Sequence, residues 1–144
     1  MKKILAIMVI ILPSLIACAD HQHLVAYSEL PAQAQNFVQK YFNSYAIAYI
    51  EREREGMHHH YNVHFENTTE IDFDYQGNLK SVDCEVYPVP NGIVPELVVN
   101  FVTLHYPDHF IVEYVIGPRS LTAELANGVE LIFDLEGHFI RVDH

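Results

Sequence analysis

The chain repeats itself. Pro31 recurs as Pro95 and Asn36-Phe37-Val38 as Asn100-Phe101-Val102, both at an offset of 64 residues. Glu70-Ile71-Asp72-Phe73-Asp74-Tyr75-Gln76-Gly77 recurs as Glu130-Leu131-Ile132-Phe133-Asp134-Leu135-Glu136-Gly137, and Val82-Asp83 as Val142-Asp143, at an offset of 60. A difference of four residues therefore falls between about Ile50 and Tyr61, where the first copy carries the polar insert 51–60 and the second the shorter Gly117-Pro118-Arg119-Ser120. A hairpin loop absorbs such a change while its flanking elements persist.

Each copy opens on a helical pattern. Ser28 is placed to cap a helix with Pro31 in its first turn and Ala34, Phe37, Val38 and Tyr41 on one face. Val94, Leu97, Val98, Phe101, Val102 and His105 repeat that spacing before Pro107. Four short strands follow each helix. Ile47 to Arg52 and Phe110 to Ile116 are β-branched or aromatic, while Tyr61 to Phe65 and Leu121 to Leu125 alternate with period two. Asn67-Thr68 and Asn127-Gly128 make hairpin turns, and Gln76-Gly77 and Glu136-Gly137 lead into the last strands. The expected fold class is α+β: a tandem repeat of helix plus four-stranded antiparallel meander, with the helices on one face of the sheet or sheets. The expected divisions are a signal peptide over 1–17, a tether over 18–27, repeat 1 over 28–86, a proline-stiffened linker over 87–93 and repeat 2 over 94–144. Expected core positions are Phe37, Val38, Phe65, Ile71, Phe73, Phe101, Val102, Leu125, Leu131 and Phe133.

The leader is read from charge and length. Lys2 and Lys3 precede an apolar run from Ile4 to Ile16 that is too short to span a bilayer as a helix. Leu15-Ile16-Ala17-Cys18 has the form of a bacterial lipobox, with Cys18 as the lipid-modified first residue. Ala17-Cys18-Ala19 also fits cleavage before Asp20, but a cysteine at that one place in a chain with only two favours the lipobox. The first implies an envelope lipoprotein, facing the periplasm or on the outer membrane, whose only membrane contact is its lipid. The second implies a soluble periplasmic protein. Either leaves Cys84 without an intramolecular partner, and Cys84 reads as a small strand residue. Losing Lys2 and Lys3 takes the formal charge from −11 to −13, which opposes binding to nucleic acid.

These motifs together give a resemblance. Glu29-Leu30-Pro31 before the first helix, Phe73-Asp74-Tyr75-Gln76-Gly77, and Val82-Asp83-Cys84 with its echo Val142-Asp143-His144 are similar to a family of exported bacterial proteins called PepSY-like, or beta-lactamase-inhibitor-like. The resemblance extends from about Ser28 to His144. It implies helices covering one face of an antiparallel sheet whose other face is free, and it implies no catalytic activity. The inhibitor likeness is one of fold, which does not transfer a target.

Two residue groups could carry function. Met57-His58-His59-His60 with His64 offers imidazoles to Zn or Cu, but no cysteine or carboxylate stands beside them at motif spacing, and a solvated hairpin loop explains the run as well. Glu70, Asp72 and Asp74, with Glu130 and Asp134 in the matching places of the second copy, form an acidic band if the helices take the opposite face. Such a band either keeps an open sheet soluble or docks a basic segment of a partner. No phosphate loop, CxxC or Gly-x-Ser-x-Gly is present, and an enzyme would have to recruit Cys84 with His64, or a carboxylate pair, neither in a recognisable context. The expectation is a non-catalytic envelope module with no cofactor that docks a protein or peptide, as an inhibitor or regulator. A metal-binding protein using His58, His59, His60 and His64 is the alternative.

Overall fold

The structure is a computed structural model that describes residues 23–143. Nine strands form one antiparallel sheet: β1 (His23–Leu24), β2 (Ile47–Glu55), β3 (His58–Phe65), β4 (Glu70–Phe73), β5 (Leu79–Asp83), β6 (Ile111–Ile116), β7 (Leu121–Leu125), β8 (Glu130–Phe133) and β9 (Phe139–Asp143). They lie side by side in chain order. Two ten-residue helices, α1 (Ala32–Tyr41) and α2 (Glu96–His105), precede β2 and β6.

This corrects the expected fold class. The molecule is mostly β and built on a single sheet, not a tandem of helix-plus-four-strand units. The joint between β5 and β6 shows why. Ser81, Val82 and Asp83 pair with Val115, Tyr114 and Glu113, so the backbone ladder continues where a boundary between units was expected. A free strand edge at that point would leave N–H and C=O groups unpaired. The ninth strand was also unexpected: His23 and Leu24, placed in a tether by sequence, pair with Arg52 and Glu51.

Alternation on the strands sorts the side chains to two faces. On one, Ile50, Val63, Ile71, Val82, Tyr114, Ala123, Leu131 and Val142 stand opposite one another from β2 to β9. All but the half-buried Val142 are buried, and they belong to one core with Ala34 and Val38 of α1 and Val98 and Val102 of α2. Both helices therefore cover the same face. Phe37 meets Phe73 edge-on at 5.6 Å, and Phe101 meets Phe133 at 5.5 Å. Phe37 and Phe101 are half-buried at the margin, and the other eight expected core residues are buried.

Two glycines set how closely the helices approach. Gly77 and Gly137 have φ of +89° and +95°, and a Cβ on Gly77 would come within 2.8 Å of Pro31. Only glycine combines that backbone with that clearance. Pro31 itself occupies the N-cap position of α1, without a side-chain capping hydrogen bond, while Ser28 lies in a short 3-10 turn before it. The hairpin between β2 and β3 differs from the expected loop as well. Strand pairing continues to Glu55 opposite His58, which leaves only Gly56-Met57 as the turn and turns most of the polar insert into strand.

Candidate functional site: the open sheet face

No described helix packs on the second face of the sheet, and its side chains fall into rows across the strands. The central row, read through the paired residues, is Tyr49, His64, Glu70, Asp83, Glu113, Glu124, Glu130 and Asp143. Six consecutive members are carboxylates. With about 4.8 Å between strands, they span about 24 Å.

On the β2–β5 side, acids meet bases. His64 sits 3.3 Å from Glu51 and 3.1 Å from Glu70, one ring nitrogen on each. His60 lies 3.1 Å from Glu53 and 3.8 Å from Glu55, and Lys80 lies 3.2 Å from Glu55. The Lys80 ammonium, first by hydrogen bond and then by charge, holds the Glu55 carboxyl below its usual range. Asp72 accepts from Ser81 Oγ at 3.2 Å.

On the β6–β9 side, acids meet acids. Glu113 faces Asp83 on β5 and Glu124 on β7, with Glu130 one strand further on. Burial, then the charge of Asp83, then the contacts with Glu124 and Glu130, push the Glu113 carboxyl up to about 7. Val115, Thr122 and Ile132 occupy the adjacent row, Ile132 buried. Among the residues of β6 to β9, the basic side chain is Arg141, placed 2.9 Å from Asp143.

The expected acidic band is thus partly regrouped. Glu70, Asp72 and Glu130 lie on the open face. Asp74 and Asp134 lie just past β4 and β8 and spend their carboxylates on turns. Asp74 accepts from the N–H groups of Gln76 at 2.9 Å and Asn78 at 2.8 Å; Asp134 accepts from Glu136 at 3.1 Å and His138 at 2.8 Å. For Asp74 partial burial acts upward, but the donors of Asn78, Gln76 and Gly77 outweigh it and leave the carboxyl lowered. At Asp134 the His138 N–H is the leading cause of the same lowering. Sequence reasoning missed Asp83, Glu113, Glu124 and Asp143. The alternation of β6 and β7 put Glu113 and Glu124 on the polar side, but only the register between strands lines them up.

The histidines divide. His59 pairs with Arg54, on the opposite side of β3 from His58, His60 and His64. His58 stacks on Tyr75 with ring centroids at 4.3 Å, and His64 on Tyr49 at 4.2 Å. Among the described residues no three histidine, cysteine or carboxylate side chains converge as an ion-holding group. Cys84 is buried in the core, and burial pushes its thiol up to about 11. It lies on the other side of the sheet from His64, so that pair is not assembled for chemistry. Cys18 and the leader lie outside the described residues.

A family model described as "putative beta-lactamase-inhibitor-like, PepSY-like" matches residues 59–141. The chain belongs to this PepSY-like family. Among solved structures it is similar to a Bacteroides thetaiotaomicron protein described as a "putative calcium-regulated periplasmic protein", at 30% identity and a TM-score of 0.84, over 88% of this chain and 99% of that one. A periplasmic protein of Bacteroides vulgatus matches at 28% identity and a TM-score of 0.83, with the same coverage. A second from that organism, of unknown function, shares the fold at 24% identity and a TM-score of 0.81, over 85% of this chain and 99% of that one. No curated protein matches the chain. The periplasmic description of these relatives supports the periplasm as the compartment of this PepSY-like chain, and neither the family nor the relatives indicate a catalytic activity.

Proposed function

We propose that this PepSY-like chain is a non-catalytic periplasmic binding module, tethered by lipid at Cys18, whose open sheet face docks a basic segment of a partner protein. One observation carries the reading: six carboxylates from Glu70 to Asp143 stand in a single row across six strands, on the face that no described helix covers. Like charges held side by side repel, and a cationic ligand relieves that repulsion on binding. Neighbouring strands place the charges about 4.8 Å apart, so one row meets several lysines or arginines at once.

The experiment is cross-linked capture from the native envelope, comparing wild type with Glu124→Lys/Glu130→Lys, followed by association kinetics on whatever the wild type holds. The expected result is a partner lost from the double variant and an on-rate that falls steeply with salt for wild type only. Equal on-rates for both proteins at low ionic strength would place docking elsewhere.

A second reading has one specific support, the calcium regulation in the description of the B. thetaiotaomicron relative. On this reading a divalent cation would sit against the carboxylates of Asp83, Glu113, Glu124 and Glu130, of which no three converge as an ion-holding group. A flat row does not wrap an ion as a loop does, so this binding would be weak. Calcium titration followed by calorimetry and thermal unfolding distinguishes the readings. A melting temperature that rises with calcium in wild type, but not in Glu113→Gln, favours the ion over the peptide.

A further inference from the structure

The two edges of the sheet are finished differently. Among the described residues β1 covers β2 at Arg52 and Glu51. β9 presents five residues, and among the described residues no strand pairs with its outer side. Within the sheet the comparable joint is closed: β5 ends on Val82-Asp83, as β9 ends on Val142-Asp143, and β5 has β6 beyond it. An open strand edge is a template for another strand. Proteins commonly blunt it with lysine, proline or extreme shortness. β9 contains neither lysine nor proline, and its Phe139 and Ile140 are 39% and 52% exposed. On the helix side, Leu97 and Leu104 of α2 add exposed apolar surface.

The charges on β9 select what fits this edge. Arg141 and Asp143 stand opposite Ile132 and Glu130, so both project to the open face. Let a second β9 run antiparallel to the first with the two Val142 residues opposite each other. Each Arg141 then stands opposite the partner subunit's Asp143, and both pairs are of opposite charge. Sliding to the next register that keeps the faces matched sets either two Arg141 or two Asp143 against each other, which repels. In the favourable register the partner subunit's Arg141 also becomes the next residue of the row Glu113, Glu124, Glu130, Asp143, a second base beside the Asp143 that Arg141 of its own chain meets at 2.9 Å.

We propose that the protein forms a two-fold dimer through antiparallel β9–β9 pairing, with Arg141 of each copy against Asp143 of the other. The sheet then runs continuously through both copies, with the helices of both on one side. The interface is isologous, so it closes at two chains and does not propagate.

Charge reversal tests the register itself. Sedimentation equilibrium on the purified protein, over roughly 1 to 100 μM, is expected to show a reversible monomer–dimer equilibrium. Arg141→Asp puts acid against acid and Asp143→Arg puts base against base, and each is expected to sediment as monomer. An equimolar mixture of these two variants, and the double variant Arg141→Asp/Asp143→Arg, should both recover the dimer, because each restores two opposite-charge pairs. Circular dichroism confirms that the exposed substitutions leave the fold unchanged. A wild type that stays monomeric throughout, a dimer that survives either single reversal, or a mixture that fails to pair would each overturn the proposal.

Discussion

The open face solves one electrostatic problem in two ways. From β2 to β5 the carboxylates of Glu51, Glu53, Glu55 and Glu70 are interleaved with His60, His64 and Lys80. From β6 to β9 the sheet geometry is the same, but Glu113 and Glu124 stand against each other with apolar Val115 and buried Ile132 alongside. The first arrangement sets basic side chains beside the acids. The second sets acid beside acid and pushes the Glu113 carboxyl up to about 7. The lesson is that the regular sheet dictates only that side chains meet; whether the meeting stabilises depends on which residues the register brings opposite.

Point substitutions on either side test that contrast. The largest effect should come where the halves agree, in the core. Phe73→Ala and Phe133→Ala each remove a fully buried ring packed edge-on against a helix phenylalanine. Each is expected to cost about 3–5 kcal/mol in urea unfolding. A loss at only one of them would mean that the two packing sites are unlike.

The contrast itself is tested by Glu113→Gln. The folded-state carboxyl is raised to about 7 by burial and by Asp83, Glu124 and Glu130, against about 4.3 in an unfolded chain. Between those values the native state holds more protons than the unfolded one, so wild-type stability falls as pH rises through that window. Glu113→Gln should therefore flatten the profile. It should stabilise the protein at pH 8 by on the order of 1–2 kcal/mol, after discounting for solvent screening, and have little effect below pH ~4. His64→Ala should act in the opposite sense, costing about 0.5–1 kcal/mol near neutrality through lost contacts with Glu51 and Glu70. The smallest effect belongs to Lys80→Ala: its exposed pair with Glu55 should leave the urea midpoint unmoved. A Zn or Cu titration of His58→Ala/His60→Ala/His64→Ala against wild type should show no difference in binding. Tight binding lost in the variant would revive the metal alternative.

Much of the local structure was legible in sequence because it rests on local rules. Alternation at Tyr61 to Phe65 and Leu121 to Leu125, and the spacing of Phe37-Val38 and Phe101-Val102, identify faces without any tertiary knowledge. What stayed hidden depends on pairing between distant segments. Nothing in Ser81-Val82-Asp83 announces that it meets Glu113 to Val115, so the internal repeat reads as two helix-plus-four-strand units where the molecule has one nine-stranded sheet. The same gap hid Asp83, Glu113, Glu124 and Asp143. Asp74 and Asp134 were legible as acids but not as turn-builders, since alternation was carried one residue past the end of β4 and β8. The polar run at His58 to His60 read as a loop because its composition is hydrophilic. As strand it survives through partners on β2, with Glu53 beside His60 and Arg54 opposite His59.

On the β6–β9 side of the open face, Glu113, Glu124 and Glu130 stand strand against strand and act on one another. Carbon-detected NMR titration of the Glu113 side-chain carboxyl tests it most directly. The expected midpoint lies near 7 and falls toward the ordinary glutamate range when Glu124→Gln removes one neighbouring charge. A Glu113 carboxyl that titrates near about 4.3 in the wild type, and is indifferent to Glu124→Gln, would contradict it.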